Sequence, residues 1–479
     1  MCKLPVQMTR WTRALLLALA GLSAALFVFA ISRRFAFPYE LTIVEAAQPL
    51  TTKRLLDGLP LYAQPTWEYV GPFYPPLSFL IDAALARLFG MSLPVLRVLS
   101  ILSTFGTVAI VYVVLRRAQA SRSIAAVCAA MLLAAHTRLG EILDIARVDA
   151  PEMLFAVLGL AAVERGTRPG AAEWRWTTIG AFALAAAILT KQTALTVPVG
   201  ACLALLTTGQ TRSAVRLGVL VGGLVAACGI ALHVASDGWS TFYFIEMPGG
   251  QPMYGRDLVM SVGRLGFFFP AALAVCCVVM TRFWRHAGPS WKLSVWEAAL
   301  MLSVVGAIFS NAKVGGGDNV WAVVVPLASV AIGQYWTTFV PALSPRHLLF
   351  YPIVWQVAVL PHRPIVNTPA AADVQAYEEL MAKLEAMPRP LFNPMYPYES
   401  ALLGLEPAAT FGQINDFTPD SPLRVALTEA IEARRFASVV ATTWRDPVFA
   451  GLDKAYPEPA TWSIRGTWAW GKVRVFTRE

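Results

Sequence analysis

Charged residues are scarce in this chain of 479 residues. Asp, Glu, Lys and Arg make up 14% of it, whereas soluble proteins contain about 25%. Hydrophobic residues reach 56%, and the mean hydropathy is +0.55. This composition excludes a typical soluble enzyme and indicates a protein of the lipid bilayer.

Residues and motifs that bind metals or cofactors are equally few. The five histidines of the chain argue against a His-rich metal centre, and no dense cluster of carboxylates suggests another kind of metal site. Five of the six cysteines lie in apolar stretches without CxxC spacing, so neither a disulfide framework nor a zinc site is expected. A P-loop, GxSxG, HExxH and internal repeats are also missing. The sequence therefore predicts no metal and no cofactor.

Basic residues outnumber acidic ones, 39 to 30, which gives a net charge of +9. In a membrane protein, basic cytoplasmic loops account for such an excess, so no nucleic-acid partner is expected. Apolar runs near the ~20 residues that span a bilayer number about eleven. They are 14–31, 97–115, 122–137, 150–164, 177–190, 194–208, 216–235, 265–281, 295–311, 320–340 and 346–361. The first run could be a secretory signal, but its length and the equally apolar remainder favour an uncleaved helix.

The basic residues of the loops set the orientation of these runs. With the N-terminus inside, every loop that carries an Arg cluster falls on the cytoplasmic side, as the positive-inside rule requires. The run 77–89 contains Asp82 and Arg87, so we interpret it as a partly embedded helix that does not cross. If 177–208 were one kinked helix, the later basic loops would lie outside. The preferred arrangement places outer loops at 32–96, 138–149, around Lys191, 236–264 and 312–319, and the C-terminus outside.

Charges and prolines return after about residue 360. The remaining length is sufficient for a small globular domain. Residues 371–387 have helical spacing of apolar side chains, and 437–442 and 472–476 are typical of short strands. The sequence therefore predicts a transmembrane core over 1–360, with its outer loop at 32–96, and a soluble extracytoplasmic α/β domain over 361–479.

Ionisable residues cluster at the outer ends of the predicted helices. Because a charge near lipid is unfavourable, such residues indicate a functional site. The informative stretches are Phe37-Pro38-Tyr39-Glu40, the segment Asp57 to Tyr62, Tyr74-Pro75-Pro76-Leu77, the segment Glu141 to Asp149, Thr190-Lys191-Gln192, and the segment Lys313 to Asn319. Carboxylates that can act as a base, next to Lys and Arg that can hold an anion, suit the transfer of a group from a lipid phosphate.

In this order, the stretches resemble the polyprenyl-phosphate-dependent glycosyltransferases of the GT-C superfamily. The resemblance is to the protein-mannosyltransferase and aminoarabinose-transferase branch, family 39. It rests on Pro-Tyr-Glu, Leu-Leu-Asp-Gly-Leu-Pro-Leu-Tyr, Tyr-Pro-Pro-Leu, Ala-Arg-Val-Asp and Thr-Lys-Gln, and it covers about the first 340 residues. It implies an all-α polytopic membrane protein, a GT-C-like bundle of about 11 transmembrane helices. The C-terminal α/β domain lies outside the resemblance.

The resemblance also implies site residues. The family's acid in the first outer loop, which activates the acceptor, corresponds to Glu40, and a second acid corresponds to Asp149. Relatives often have two adjacent acids at the first position, where this chain has Tyr39-Glu40, so Glu45 is a possible substitute. The donor phosphate would be stabilised by Lys191, Arg147 and Lys313, and substrate would contact Tyr39 and Tyr74. Alternatively, the cations extend to lipid headgroups, and Asp149 pairs with Arg147 or caps the next helix.

The implied activity is transfer of a sugar from a polyprenyl-phosphate carrier to an acceptor hydroxyl on the outer face, by inverting displacement. The expected partners are the lipid-linked donor, an acceptor lipid, glycan or protein, and membrane lipid. The expected location is the bacterial inner membrane, with the N-terminus cytoplasmic. A secondary transporter or flippase of lipid-linked sugars is the alternative, although transporters commonly show inverted repeats and charges near mid-membrane. An inactive relative that binds a polymer or a partner is a third possibility.

Overall fold

Apolar helices form most of the structure, which is a computed structural model. It describes residues 10–285, 291–338, 350–359, 368–443, 447–449, 451–456, 459–463 and 472–478. The helical part comprises α1 (Arg10–Arg34), α2 (Ala47–Leu56), α3 (Leu77–Phe89), α4 (Leu93–Arg117), α5 (Arg122–Ala134), α6 (Asp149–Gly166), α7 (Glu173–Thr190), α8 (Thr196–Thr207), α9 (Thr211–Ala235), α10 (Trp239–Thr241), α11 (Met247–Gly250), α12 (Gly255–Phe268), α13 (Pro270–Arg285), α14 (Val295–Asn311), α15 (Val324–Thr338) and α16 (Phe350–Val359). Short 3₁₀ turns at Gln192–Leu195 and Asp318–Trp321 precede α8 and α15.

Several of these helices fit insertion into a membrane. Within the described ranges, four are long and apolar enough to span one, at Arg13–Arg34, Leu93–Arg117, Thr211–Ala235 and Asp318–Thr337. On α9, Val219, Ile230 and Val234 are exposed, which suits a helix that faces lipid. Shorter apolar helices lie at Arg122–Ala134, Gln192–Thr207 and Val295–Asn311. The count of about eleven crossings stays a prediction.

The predicted run 265–281 is wrong as a single helix. The structure divides it between α12 and α13, which meet at an angle of 98°. Pro270 begins α13. Because proline has no N–H and clashes with the preceding turn, it ends α12 and starts the next helix. If the bent pair is one broken span, five helical units are long and apolar enough to cross.

Glycines let two pairs of helices approach closely. A Cβ on Gly180 of α7 would lie 3.0 Å from the carbonyl oxygen of Gly159 on α6. A Cβ on Gly200 of α8 would lie 2.5 Å from the Cα of Ala299 on α14. Small residues at such crossings are typical of membrane helices. Because α6 and α7 are successive helices joined by a short turn, the start of α6 and the end of α7 lie at the same end of the bundle.

The helix predicted at 77–89 is confirmed as α3. Its acidic residue, Asp82, is buried and accepts a hydrogen bond of 2.5 Å from the Nε2 atom of Gln48 on α2. This contact within the protein explains how an apolar helix carries a carboxyl group.

The C-terminal part contains a small sheet flanked by helices. Its helices are α17 (Ala371–Glu385), α18 (Pro397–Leu402), α19 (Phe411–Asn415), α20 (Pro422–Glu432) and α21 (Leu452–Ala455). Its strands are β1 (Leu391–Phe392), β2 (Ser438–Thr442), β3 (Ala460–Ser463) and β4 (Lys472–Thr477). The order is β1-β2-β4-β3, with β1 and β2 parallel and the other pairs antiparallel. The predicted helix and two predicted strands are confirmed.

This C-terminal part lies on the segment between α1 and α3. Ala409 donates its N–H to the carbonyl of Trp67 at 2.9 Å, and Gln413 donates Nε2 to the carbonyl of Val70 at 3.0 Å. The predicted first outer loop is therefore held between the helical bundle and the sheet.

Candidate active site

Three segments converge on the carboxylate of Asp149, the first residue of α6. Its Oδ1 accepts hydrogen bonds from Nζ of Lys191 at 2.7 Å and Nδ2 of Asn319 at 2.9 Å. Its Oδ2 accepts one from Nε of Arg147 at 2.9 Å. Asp149 and Lys191 are fully buried, and the Arg147 side chain is almost so. We call Arg147, Asp149, Lys191 and Asn319 the cation cluster; its carboxylate fixes the direction of both positive groups.

Lys191 enters this cluster because the chain breaks between α7 and α8. The backbone of Lys191 is extended, with φ −155° and ψ 123°, between the end of α7 and a 3₁₀ turn. The structure therefore has two helices here, as predicted. The Lys191 ammonium also lies 3.5 Å from Oε2 of Glu152, one turn into α6. Since a buried charge is stable only when it is paired, the two carboxylates explain how the lysine is accommodated.

Tyr74 completes the part of the predicted site that the structure brings together. Its ring centroid lies 5.8 Å from the Lys191 ammonium, and its hydroxyl interacts with Arg147. The next residue after Lys191, Gln192, donates Nε2 to the carbonyl of Phe73 at 2.8 Å. The Tyr-Pro-Pro-Leu and Thr-Lys-Gln motifs are thus in contact.

An apolar groove begins beside the cation cluster. It has a volume of about 440 Å³ and lies between α8 and α14. Glu152, Gln192 and Thr193 lie at its polar end. The rest of its lining is mainly apolar, with Leu195, Val199, Leu302, Val305, Val320 and Val323.

Glu40 and Tyr39 lie at a second place, beneath the C-terminal part. Tyr39 stacks on Tyr377 of α17 with ring centroids 4.5 Å apart, and the Tyr377 hydroxyl donates to the carbonyl of Glu40. The Glu40 carboxylate is buried, and neither of its oxygens has a hydrogen-bond partner among the described residues. Burial, followed by the nearby carboxyl group of Glu399, raises the pKa of Glu40 well above its ordinary range. Burial also raises the pKa of Glu399.

Glu45, the possible substitute for Glu40, is fully engaged in a structural contact. Arg97 of α4 binds both of its oxygens, at 2.8 and 2.9 Å, and both side chains are completely buried. The N–H groups of Leu41 and Ala146 bind the same carboxylate. These contacts hold the pKa of Glu45 below its usual range against the effect of burial. Since Ala146 precedes Arg147, the Glu45–Arg97 pair connects the two places.

Lys313 does not join the cation cluster among the described contacts. Its Nζ donates to the carbonyl of Pro248 at 2.7 Å, and it lines a polar cavity with Tyr254 and Arg264. Its assignment to the donor phosphate therefore stays a prediction.

Several residues of these places were not predicted from the sequence. Asn319 and Glu152 lie within or beside the charged stretches of the sequence, so their proximity to charged residues was the available signal. Glu399 had no such signal, because it belongs to the C-terminal part and reaches Glu40 only through the fold. Arg34 at the end of α1 was also missed; it pairs with Glu141 at 2.5 Å and Asp144 at 2.8 Å.

We expect the contact between the C-terminal part and Glu40 to weaken as the pH rises. The folded pair Glu40–Glu399 stays protonated at pH values at which free carboxyl groups, with a pKa near 4.5, ionise. Above pH 4.5, the folded form therefore binds more protons than the unfolded form. The stabilisation is fully present below pH 4.5 and is lost as the pH rises from there to the raised pKa values. Hydrogen exchange in α17 and α18 is the measurement.

Glu399→Gln should reduce this pH dependence, because only Glu40 of the pair can still ionise and the carboxyl group that adds to the effect of burial on its pKa is gone. Glu429→Gln, at an exposed position, is the matched control. Equal pH dependence in wild type and Glu399→Gln would contradict the expectation.

Comparisons with known proteins agree with this geometry. The profile of the dolichyl-phosphate-mannose-protein mannosyltransferase family matches residues 74–235, which include Tyr74, Arg147, Asp149 and Lys191. The sequence matches no curated protein at a significant level.

Solved structures share the fold over nearly the whole chain. The crystal structure of ArnT from Cupriavidus metallidurans bound to undecaprenyl phosphate is similar with a TM-score of 0.58 and 15% identity, over 96% of this chain and 97% of that one. Oligosaccharyltransferase AglB from Archaeoglobus fulgidus, in complex with an inhibitory peptide and a dolichol-phosphate, is similar with a TM-score of 0.54 and 13% identity. The similarity covers 96% of this chain and 74% of that one. The predicted fold class, an α-helical membrane bundle with a small C-terminal sheet, is confirmed. The chain thus has the fold of these two structures, and its segment 74–235 matches the mannosyltransferase family.

Proposed function

We propose that this protein is an integral-membrane glycosyltransferase that moves a sugar from a polyprenyl-phosphate carrier to an acceptor hydroxyl, by inverting displacement, on the extracytoplasmic face. The observation that carries the proposal is the cation cluster at the polar end of an apolar groove. Two of the similar structures are bound to undecaprenyl phosphate and to a dolichol-phosphate, which supports a carrier of this chemistry.

The groove between α8 and α14 suits the isoprenoid part of the donor. Its apolar lining can cover a hydrocarbon chain that extends from the membrane, because burial of apolar surface is favourable. The phosphate would then lie near Lys191 and the start of the helical segment Gln192–Thr207. Backbone N–H groups at a helix start bind anions, so they add to the positive side chains.

The reaction requires stabilisation of the leaving phosphate. The acceptor oxygen forms a bond to the anomeric carbon while the bond from that carbon to the phosphate oxygen breaks, and its electron pair stays on the phosphate. Lys191 and Arg147 would stabilise the charge that develops there. Asp149 is engaged through both oxygens, so we assign it the positioning of these two cations. Tyr74 would limit the room for the donor beside them.

Glu40 is the proposed base that accepts the proton of the acceptor hydroxyl. A raised pKa makes the ionised form a stronger base near neutral pH. Because the C-terminal part covers Glu40, the contacts of Tyr377 and Glu399 must open before an acceptor reaches it. Tyr39, which stacks on Tyr377, would become available to substrate in the same step. The membrane we propose is a bacterial inner membrane, with the C-terminal part outside the cytoplasm; the bias of basic loops supports this orientation.

Glu40→Gln is expected to lower sugar transfer by about 10²–10⁴-fold, because an amide cannot accept the proton. The assay is transfer of labelled sugar from a panel of polyprenyl-phosphate sugars by the purified protein in lipid.

Glu68→Gln is the matched control for this experiment, since Glu68 is an exposed carboxylate of the same segment. Undiminished transfer by Glu40→Gln would remove Glu40 from the mechanism. Tight binding of a lipid-linked sugar by the wild type, with no turnover of any donor, would favour a transporter.

A further inference from the structure

A second cavity lies between the C-terminal part and the helical bundle. It has a volume of about 300 Å³, within the range of small-molecule sites. One wall is aromatic: Trp239 packs edge-on against Phe242 with ring centroids 5.5 Å apart, and Phe242 lies 6.2 Å from Phe417 of the C-terminal part. We call this cavity the aromatic cleft.

The polar groups of the aromatic cleft are acidic or neutral. Two carboxylates, Glu246 and Asp416, and two carboxamides, Gln64 and Gln251, line it, and none of its described lining residues is Lys or Arg. A cleft of this charge disfavours phosphorylated or other anionic ligands. Carboxylates accept hydrogen bonds from hydroxyl groups, and carboxamides both donate and accept them.

Asp416 is a partly exposed carboxylate in the lining of this cleft. The described residues give its carboxylate no hydrogen bond and no ion pair, although burial raises its pKa to about 7. Its Oδ1 lies where Gly315 approaches: a Cβ on that glycine would be 2.6 Å away, and the backbone there has φ +77°. The carboxyl group is thus confined between the Gly315 turn and the cleft.

Phe73 contacts both the lining of the aromatic cleft and the segment that carries Lys191. The ring of Phe73 lies 6.4 Å from that of Phe417. Its carbonyl binds Gln192, and the next residue is Tyr74 of the predicted donor site. Phe73 therefore connects the lining of the cleft to the segment beside the proposed donor phosphate.

We infer that the aromatic cleft binds the acceptor, and that the acceptor is an uncharged saccharide. This inference rests on the proposed function. A sugar ring has an apolar C–H face that packs on aromatic rings, and hydroxyl groups at its edge that bind carboxylates and carboxamides. Trp239 and Phe417 provide the aromatic rings for the apolar face of the sugar. Asp416 and the two glutamines provide the groups that bind its hydroxyls.

Binding of neutral tetrasaccharides to the full-length protein in detergent, without donor, tests the inference. The panel contains glucan, mannan, galactan and chitin tetramers, and the readout is saturation-transfer NMR. We expect at least one to bind with a dissociation constant of about 1 mM. Trp239→Ala and Asp416→Asn should each weaken this binding about tenfold or more.

Matched controls separate the cleft from general effects on the fold. Trp174→Ala removes an exposed tryptophan of α7. Asp420→Asn removes an exposed carboxylate that lies between the lining residues Thr418 and Ser421 but does not itself line the cleft. Both should bind saccharide like the wild type. Absence of binding by every tetramer, or binding that neither cleft variant weakens, would overturn the inference. So would preferential binding of a basic peptide at Trp239.

A transfer assay distinguishes failure of the inference from failure of the proposed function. Lys191→Gln, which removes a proposed donor contact, should still bind the saccharide. Saccharide binding at Trp239 without transfer from any donor would reject the glycosyltransferase and keep the cleft. Normal transfer without saccharide binding would reject the cleft alone. In the active protein, Trp239→Ala should raise KM for the saccharide.

Discussion

Replacement of Lys191 by glutamine is expected to reduce sugar transfer by about 10²–10³-fold, the loss typical when one preorganised group that stabilises developing charge is removed. Lys191 is buried, bound to Asp149 at 2.7 Å, and lies beside the groove proposed for the carrier. The measurement is the initial rate of transfer from a polyprenyl-phosphate sugar, together with binding of the polyprenyl phosphate itself.

Lys313→Gln is the matched control for this prediction. Lys313 was predicted for the same role but binds the carbonyl of Pro248 instead. We expect Lys313→Gln to lose less transfer activity than Lys191→Gln. Lys191→Arg, which keeps a positive charge, should retain more transfer activity than Lys191→Gln. A thermal unfolding curve for Lys191→Gln shows whether the protein is still folded. If Lys313→Gln lost as much transfer as a folded Lys191→Gln, the assignment of the phosphate to the cation cluster would be wrong.

Arg97→Met is expected to lower the free energy of unfolding by about 3–5 kcal/mol, because it leaves a buried carboxylate without its partner. Arg97 binds both oxygens of Glu45 and also donates to the carbonyl groups of Arg34, Phe37 and Tyr39. One side chain thus organises the segment that carries Glu40. The measurement is denaturant or thermal unfolding of the purified protein in a fixed detergent.

Lys53→Met is the control for the loss of an ion pair. Lys53 binds Asp57 at 2.7 Å, but both side chains are about half exposed, so its removal should change stability by less than ~1 kcal/mol. The double variant Glu45→Gln/Arg97→Met should be less destabilised than the sum of its single changes, since the unpaired charge is gone. If Arg97→Met were as stable as Lys53→Met, the pair would not be the structural centre that its burial indicates.

Most helical segments were predictable because helix formation in an apolar run depends on local sequence. Apolar runs of sufficient length form helices in any arrangement of the bundle, and the returning charges mark the C-terminal part. The break at Lys191 was visible as a polar triplet between two apolar runs. The bend at Pro270 also depends on local sequence. It was not predicted, because a search for apolar runs does not detect a proline that interrupts hydrogen bonding while its neighbours stay apolar.

Only part of the predicted set of site residues meets in the fold. The sequence named Arg147, Asp149, Lys191 and Tyr74, and the structure brings these four together. It also named Glu40, whose neighbours in the fold, Tyr377 and Glu399, come from more than 330 positions further along the chain. No pattern in a single sequence indicates which distant segment covers a loop.

The sequence by itself therefore determined an apolar helical protein with charged residues at helix ends, because hydropathy and length act on each segment independently. The tertiary structure decided which charges meet. Asp149 reaches Lys191 across 42 positions and Asn319 across 170, and Glu45 selects Arg97 because burial makes any unpaired charge unfavourable. Tertiary packing also placed Asp416 and Trp239 in the lining of one cleft, because the contact surfaces of the bundle and the C-terminal part exist only after both have folded.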